Sequence, residues 1–358
     1  MTEKQRIKKC IHFEKTDIVP WQINYTTELA DTIMKSLGLK EQSHIVLGRN
    51  VYRYNLLNDF LGNHITYLRN RPVDSYREVS TGIWKDEWGV LWDRRIDRDI
   101  GTPANCMLES GTTDNLKVPD PNDPKRYLHF QPLIEANPNR YILVKLSYSL
   151  FERAWSLRGM ENLLVDMIQE PSFVHELFNL ITDFNLAIMK NLTSFPIDGI
   201  YFGDDWGSQK SLLMNPDMWR TFIKPYLRKM YDQAHNQGYD VFIHSCGEIS
   251  AVLEDLTEIG LNVFNPFQPE VMDIENIMRK FSGKLAFYGS LSIQKTLPFG
   301  NREDVLEEVQ HRLRLARLHG GLIISPSHDL PPDTPLDNIL TMLETIKRQS
   351  IVSTRGIV

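Results

Sequence analysis

Asp240-Val241-Phe242-Ile243-His244-Ser245-Cys246-Gly247 reads as a short apolar β-strand ending in a histidine and a cysteine two residues apart. Side chains on a strand alternate faces, so positions i and i+2 point the same way. An imidazole and a thiol therefore stand side by side at the strand's end, and Gly247 lets the chain turn away. One nitrogen and one sulfur so placed make half of a zinc site. A core histidine beside a buried structural cysteine is the competing reading. A second strand downstream ends in a similar way, in Gly321-Leu322-Ile323-Ile324-Ser325-Pro326-Ser327-His328-Asp329, and offers a second imidazole.

Around these two strands the pattern is regular. Apolar runs at 141–146, 199–203, 241–243, 261–266, 285–289 and 321–324 alternate with helical stretches at 159–169, 172–192, 215–236, 249–259, 273–281, 302–318 and 334–348. Short strands alternating with longer helices mean repeated βα units and a parallel sheet. Earlier runs at 18–24 and 65–68 add one or two strands, so the fold class is α/β and the predicted architecture a closed (β/α)8 TIM-type barrel. A doubly wound open sheet is the alternative, but no Gly-rich dinucleotide or phosphate loop follows any strand. Residues 1–358 read as one barrel domain, with 75–130 an excursion from the repeat. Within the excursion Trp84, Trp88 and Trp92, with Ser80-Thr81-Gly82, predict a twisted hairpin whose tryptophans pack the excursion itself.

Composition narrows the function. The 358 residues are 42% hydrophobic and 24% charged, with net charge −6 and pI near 6.0, which gives no basic footprint for nucleic acid. Cys10, Cys106 and Cys246 are too few and too scattered for a disulfide framework and predict a reducing, cytoplasmic setting. The charged N-terminus lacks the apolar core of a secretory signal, and no apolar run is long enough to span a membrane.

In a barrel the chemistry sits at the C-terminal ends of the strands. Asn24, Asp204, Asp205, His244, Cys246, Asn265, Gln268, Ser290 and His328 all fall there. His244, Cys246 and His328 as three protein ligands with an open fourth position define catalytic rather than structural zinc. Asp329, Glu248 or Asp255 is available to orient a ligating imidazole. Asp204 or Asp205 would hold a polar substrate group or act as general acid; the plainer reading is an N-cap for the helix that follows. Trp21, Asn24, Tyr25, Gln268 and Tyr288 are the candidate substrate-binding residues, with core packing the alternative for Trp21 and Tyr25. A thiol nucleophile at Cys246 with His244 as base ranks below metal binding, because same-face neighbours are seldom placed for proton transfer.

Several segments resemble the uroporphyrinogen decarboxylase superfamily, and within it the zinc methyltransferases that serve corrinoid proteins. They are Phe151-Glu152-Arg153-Ala154-Trp155, Leu157-Arg158-Gly159-Met160-Glu161-Asn162, Gly203-Asp204-Asp205, Phe222-Ile223-Lys224-Pro225, His244-Ser245-Cys246-Gly247, Asn265-Pro266-Phe267-Gln268-Pro269, Ser325-Pro326-Ser327-His328-Asp329 and Pro335-Leu336-Asp337-Asn338-Ile339. The resemblance covers roughly residues 140–345 and implies a (β/α)8 barrel. Two departures shape the expected function. The family's decarboxylases carry an Arg-rich segment after the first strand that grips substrate carboxylates; here Trp21-Gln22-Ile23-Asn24-Tyr25 is neutral and aromatic, which argues against an octacarboxylic substrate. The coenzyme M methyltransferases resembled here place a second cysteine where this chain has His328.

Replacing a thiolate by a neutral imidazole leaves a bound Zn²⁺ with net positive charge. That makes it a stronger Lewis acid toward an oxygen than a holder of a nucleophilic thiolate. The expectation is a zinc-dependent methyltransferase that moves a methyl group, from a methyl ether by preference, to a corrinoid (cobalamin) on a partner protein. No Asp-x-His-x-x-Gly cobalamin signature occurs in the chain itself. Alternatives are methyl transfer from methylcobalamin to a thiol, a metal-free decarboxylase-type lyase, and a barrel that binds a ligand without turnover.

Overall fold

A computed structural model of the chain describes residues 1–72, 75–96 and 101–353. Seven parallel strands form one sheet: β1 (Ile65–Arg69), β2 (Tyr141–Leu146), β3 (Gly199–Gly203), β4 (Asp240–His244), β5 (Val263–Phe267), β6 (Ala286–Leu291) and β7 (Leu322–Pro326). Each pairs with the next in chain order, as expected where helices return the chain to the start of each new strand.

Residues 20–25 fill the gap between β7 and β1. Toward β7 the link is main-chain: Gln22 N–H donates to the Ile324 carbonyl at 3.0 Å, and Ile324 N–H to that of Pro20 at 3.0 Å. Toward β1 side-chain amides substitute for much of the ladder. Ile65 N–H donates to Gln22 Oε1 at 2.9 Å, and Ile23 N–H to Asn63 Oδ1 at 2.8 Å. The sheet thereby closes as the predicted TIM-type barrel, with its first stave held partly by Gln22 and Asn63.

Alternation along the strands sorts the core. Ile65, Tyr141, Leu143, Tyr201, Phe242, Val263, Ala286, Tyr288 and Ile323 fill the barrel interior. Ile200, Phe202, Val241 and Ile243 belong to the larger outer core under the helices. A one-residue slip of β3 would drive Ile200 and Phe202 inward and Tyr201 outward, so burial on both faces fixes the register. The N-terminal helix Glu3–Ile11, started by a Thr2–Gln5 capping box, plugs the other end: Ile7, Cys10 and Ile11 join the interior cluster. Lys4 and Lys8 each pair with Asp198 at 2.9 Å, at the foot of β3. With the floor sealed, the C-terminal ends of the strands form the open mouth.

The excursion is a four-stranded antiparallel sheet (Arg77–Ser80, Ile83–Lys85, Leu91–Asp93 and Thr102–Pro103); residues 97–100 lie outside the described residues. Trp84 stands opposite Trp92 across the predicted hairpin. Trp88 and Trp92 do more than pack the excursion, because they also line a cavity reaching the barrel mouth. The stretch read as one helix at 215–236 is two, Pro216–Phe222 and Lys224–Asn236; Pro225 lacks the N–H that a continuous helix would use there. Among the described residues no helix is long and apolar enough to cross a membrane.

Candidate metal centre and the barrel mouth

His244 lies two residues beyond Phe242 on β4, so it shares the interior face and stands at the mouth. Cys246 follows on the strand's extension, anchored by its N–H donating to Asp205 Oδ1 at 2.8 Å. The next N–H, of Gly247, donates to Gln268 Oε1 at 2.7 Å. Gly247 has φ +85° and packs so closely on Gly207 and Ser208 that a Cβ would collide with their backbones. The turn that presents the thiol therefore needs glycine.

His328, in the loop after β7, comes to the same place. Its ring centroid is 5.5 Å from that of His244. One ligand atom from each of His244, Cys246 and His328 lies within 4.8 Å of the others, and Cys246 Sγ is 3.4 Å from His244 Nε2. Tetrahedral zinc with bonds of about 2.0–2.3 Å sets its ligand atoms about 3.4–3.8 Å apart. The donor set fits zinc, with a spread of up to 4.8 Å that a bound ion would draw in.

A hydrogen-bond chain behind His244 decides which nitrogen is free. Asn265 Nδ2 donates to the Tyr288 carbonyl at 2.9 Å, which turns Asn265 Oδ1 toward His244 Nδ1 at 2.7 Å. Tyr201 hydroxyl donates to the same oxygen at 2.5 Å. His244 must then carry its proton on Nδ1, leaving the Nε2 lone pair facing Cys246 and His328. Burial lowers the His244 pKa and so favours the neutral ring. Burial pushes the Cys246 thiol well up, and nearby Asp205 adds to it. A bound cation would reverse that preference and release the thiol proton.

His244 is thus oriented by Asn265 with Tyr201, and by none of the three carboxylates named from sequence. Asp255 is tied to Lys224 at 2.7 Å. Glu248 accepts from Ser250 N–H at 2.8 Å. Asp329 faces the cavities beside the centre.

Asp204 and Asp205 part company. Asp204 is fully buried and accepts the N–H groups of Leu150, Phe151 and Glu152 at 2.7–3.2 Å, plus Trp206 Nε1 at 2.6 Å. It caps a helix, but the earlier one, Phe151–Arg158, and burial raises its carboxyl to about 7 against the pull of those donors. Asp205 is the one at the centre, with Oδ1 3.7 Å from His244 Nε2. Glu152, not singled out from sequence as a site residue, lies close enough to feel Asp205 and Asp204. Burial and the charges of Asp205 and Asp204 push its carboxyl well above the usual range.

The remaining candidates divide as well. Trp21 turns outward, its Nε1 donating to the Leu61 carbonyl at 3.0 Å and its ring against His64; it does not wall the mouth. Gln268 braces Gly247 from a buried position. Asn24 does face inward, donating to Tyr288 hydroxyl at 2.8 Å, which meets Tyr67 hydroxyl at 2.5 Å. Tyr25 donates to Asn58 Oδ1 at 3.0 Å and lines a cavity beside the barrel end.

Cations not singled out from sequence also stand at the mouth, on strands other than the neutral segment Trp21–Tyr25. Arg69 and Lys145 end the inward-facing series 65, 67, 69 on β1 and 141, 143, 145 on β2, and Arg71 lies just beyond. Two cavities of about 300 and 320 Å³ share Arg69, Lys145 and Asp329. Asp329, the neighbour of His328, borders both cavities, and Tyr201 stands between Lys145 and His244. The Lys145 ammonium sits 5.1 Å from the centroid of the Tyr201 ring, and Tyr201 hydroxyl lies 2.9 Å from His244 Nδ1.

The family model for uroporphyrinogen decarboxylase (URO-D) matches residues 114–349, a span that holds the whole triad. The chain belongs to the uroporphyrinogen decarboxylase family. A uroporphyrinogen decarboxylase from Chlorobium chlorochromatii is 23% identical over 66% of this chain and 69% of its own length. One from Myxococcus xanthus is 26% identical over 53% of this chain and 52% of its own, so the chain spans about half the length of some relatives it matches. Among solved structures, a methyltransferase from Methanosarcina mazei superposes with TM-score 0.71 over 97% of this chain and 99% of its own at 16% identity. That likeness shows the shared barrel. Arg69, Arg71 and Asn24 lie outside the family match, in the part of the chain before residue 114.

Proposed function

We propose that this family member is a zinc-dependent methyltransferase that moves a methyl group from a small methylated substrate, a methyl ether by preference, to a corrinoid on a partner protein. The observation that carries the reading is the convergence of His244, Cys246 and His328 with a free Nε2 on His244. A zinc ion held by these residues would supply a Lewis acid toward the ether oxygen. Asp205 positions Cys246 through its N–H. Glu152, whose carboxyl burial pushes well above the usual range, is the proposed proton source for the departing oxygen. In the reaction the C–O pair stays on oxygen, the methyl carbon bonds to cobalt(I) using the metal's electron pair, and the oxygen regains a proton. Cavities of about 300 and 320 Å³ stand at the small end of ligand sites and suit a one-ring substrate.

Decarboxylation is the second reading, and the cations at Arg69, Arg71 and Lys145 favour it more than the sequence did. Two assays separate the readings. The first mixes purified protein with cob(I)alamin and a panel of methoxylated substrates, follows methylcobalamin by absorbance, and measures zinc in parallel. The expected result is near-stoichiometric zinc and methyl transfer, both lost in His328→Ala. Uroporphyrinogen turnover by protein containing under about a tenth of an equivalent of zinc, unaffected by His328→Ala, would overturn the proposal in favour of the lyase.

A further inference from the structure

We infer that the mouth is built to hold an anionic group, a carboxylate or a sulfonate, on Arg69, Arg71 and Lys145, and that the substrate of the proposed methyl transfer is therefore a methylated organic anion. As a statement of substrate class it rests on the methyltransferase reading; as an anion site it stands on the cavity itself.

The charges lining the two cavities are almost all neutralised. Arg153 pairs with Asp86 at 2.7 Å, Arg140 with Asp59 at 2.6 Å, and Arg53 with Asp31 at 3.1 Å. Arg69, Arg71 and Lys145 are the exceptions: among the described residues none makes a side-chain hydrogen bond or an ion pair within 4.0 Å. Arg71 instead lies over the Tyr76 ring at 5.0 Å, and Lys145 over the Tyr67 ring at 4.1 Å. Asp329 is the one unpaired carboxylate that lines both cavities beside them. Three cations and one carboxylate meet at these cavities, Arg71 and Lys145 half-buried and Arg69 exposed at the rim. Burial already works against the charge of the two half-buried cations, lowering Arg71 to about 10 and Lys145 to about 8. Gathering like charges in a partly desolvated cavity is costly unless an anion completes the set.

Geometry orients that anion relative to the chemistry. One tyrosine ring, that of Tyr201, separates Lys145 from His244. A ligand with its anionic end on the cations therefore sits about one ring's width from the metal centre. Guanidinium groups bind carboxylate and sulfonate oxygens bidentately, which would fix the distance between the held end and the reacting methyl.

The test uses calorimetric binding to the zinc-loaded protein, with 4-methoxybenzoate, 4-methoxybenzenesulfonate and neutral 4-methoxybenzyl alcohol as probes. At least one acid is expected to bind about tenfold or more tighter than the alcohol, and the sulfonate-to-carboxylate ratio tells which oxyanion the site prefers. Arg69→Gln/Arg71→Gln is expected to bring the acids down to the alcohol's level, with an unchanged melting temperature showing that it folds. Alcohol bound as tightly as the acids, acid preference surviving in the double variant, or no binding of either acid at millimolar concentration would each overturn the inference. Benzoate and benzenesulfonate separate it from the reading beneath it. Cation-dependent binding of these methyl-free acids without methyl transfer from any probe sinks the methyltransferase and keeps the anion site. Methyl transfer from the alcohol with no preference for acids does the reverse.

Discussion

The two sides of the barrel mouth are built from opposite chemistry. The side formed by β3, β4 and the loop after β7 gathers a thiol, two imidazoles and the carboxyl of Asp205, and lacks only a cation. The side formed by β1 and β2 gathers Arg69, Arg71 and Lys145, and lacks only an anion. Asp329 borders both. The difference teaches how one rigid ring of strands can hold a substrate at one end and act on it at the other. Each side is incomplete by itself, and the missing pieces carry opposite charge.

The largest effect should come from removing a donor on the metal side. Cys246→Ser or His328→Ala is expected to abolish stoichiometric zinc and lower methyl transfer by more than about a hundredfold while anion binding persists, as plasma emission and calorimetry on the same samples would show. Loss of both functions together in a well-folded variant would break the division.

A charge change on the other side comes next. Lys145→Gln should weaken acid binding by about tenfold with zinc content unchanged. The same lysine gives the site a pH dependence. Lys145 titrates at about 8 in the free protein, below its ordinary value because it is buried. Anion affinity should therefore be full below pH 8 and decline as pH rises through that value. In Lys145→Gln the decline should vanish, whereas an identical pH profile in both proteins would remove Lys145 from the site.

Asn265→Ala sharpens the metal side more gently. Losing the group that fixes the His244 tautomer should weaken zinc binding by about ten- to a hundredfold, measured by competition with a chelator, with little change in acid binding. Asp204→Ala is the control outside the comparison. It should cost about 2–3 kcal/mol of stability in denaturant unfolding, because buried N–H groups at a helix start lose their acceptor. The zinc bound per folded molecule should stay the same.

How much of this was legible in sequence depends on which interaction decides each position. Strand alternation placed His244 and Cys246 on one face, and the βα rhythm gave the barrel. The same parity argument, applied to Tyr141-Ile142-Leu143-Val144-Lys145 and Ile65-Thr66-Tyr67-Leu68-Arg69, points Lys145 and Arg69 inward. A lone cation at the end of an apolar strand attracts no notice beside a His-x-Cys pair, and only the segment Trp21–Tyr25 bears on charge there, as neutral. Parity also forbids Trp21 and Asn24 from sharing a face, and Trp21 lies outside. Other features have no local signal. Asp204 caps a helix that begins some fifty residues earlier in the chain, and Gln22 and Asn63 substitute for a β-ladder. Asn265 orients His244 from a neighbouring strand. Each is a tertiary contact between residues far apart in sequence, visible only once the ring is closed.

The central claim is that His244, Cys246 and His328 together hold one zinc ion, and X-ray absorption at the zinc edge of the purified protein tests it most directly. The account predicts one sulfur scatterer at about 2.3 Å and two imidazole nitrogens at about 2.0–2.1 Å, with a further light atom in the open position. A zinc shell without sulfur, or one unchanged by His328→Ala, would contradict it.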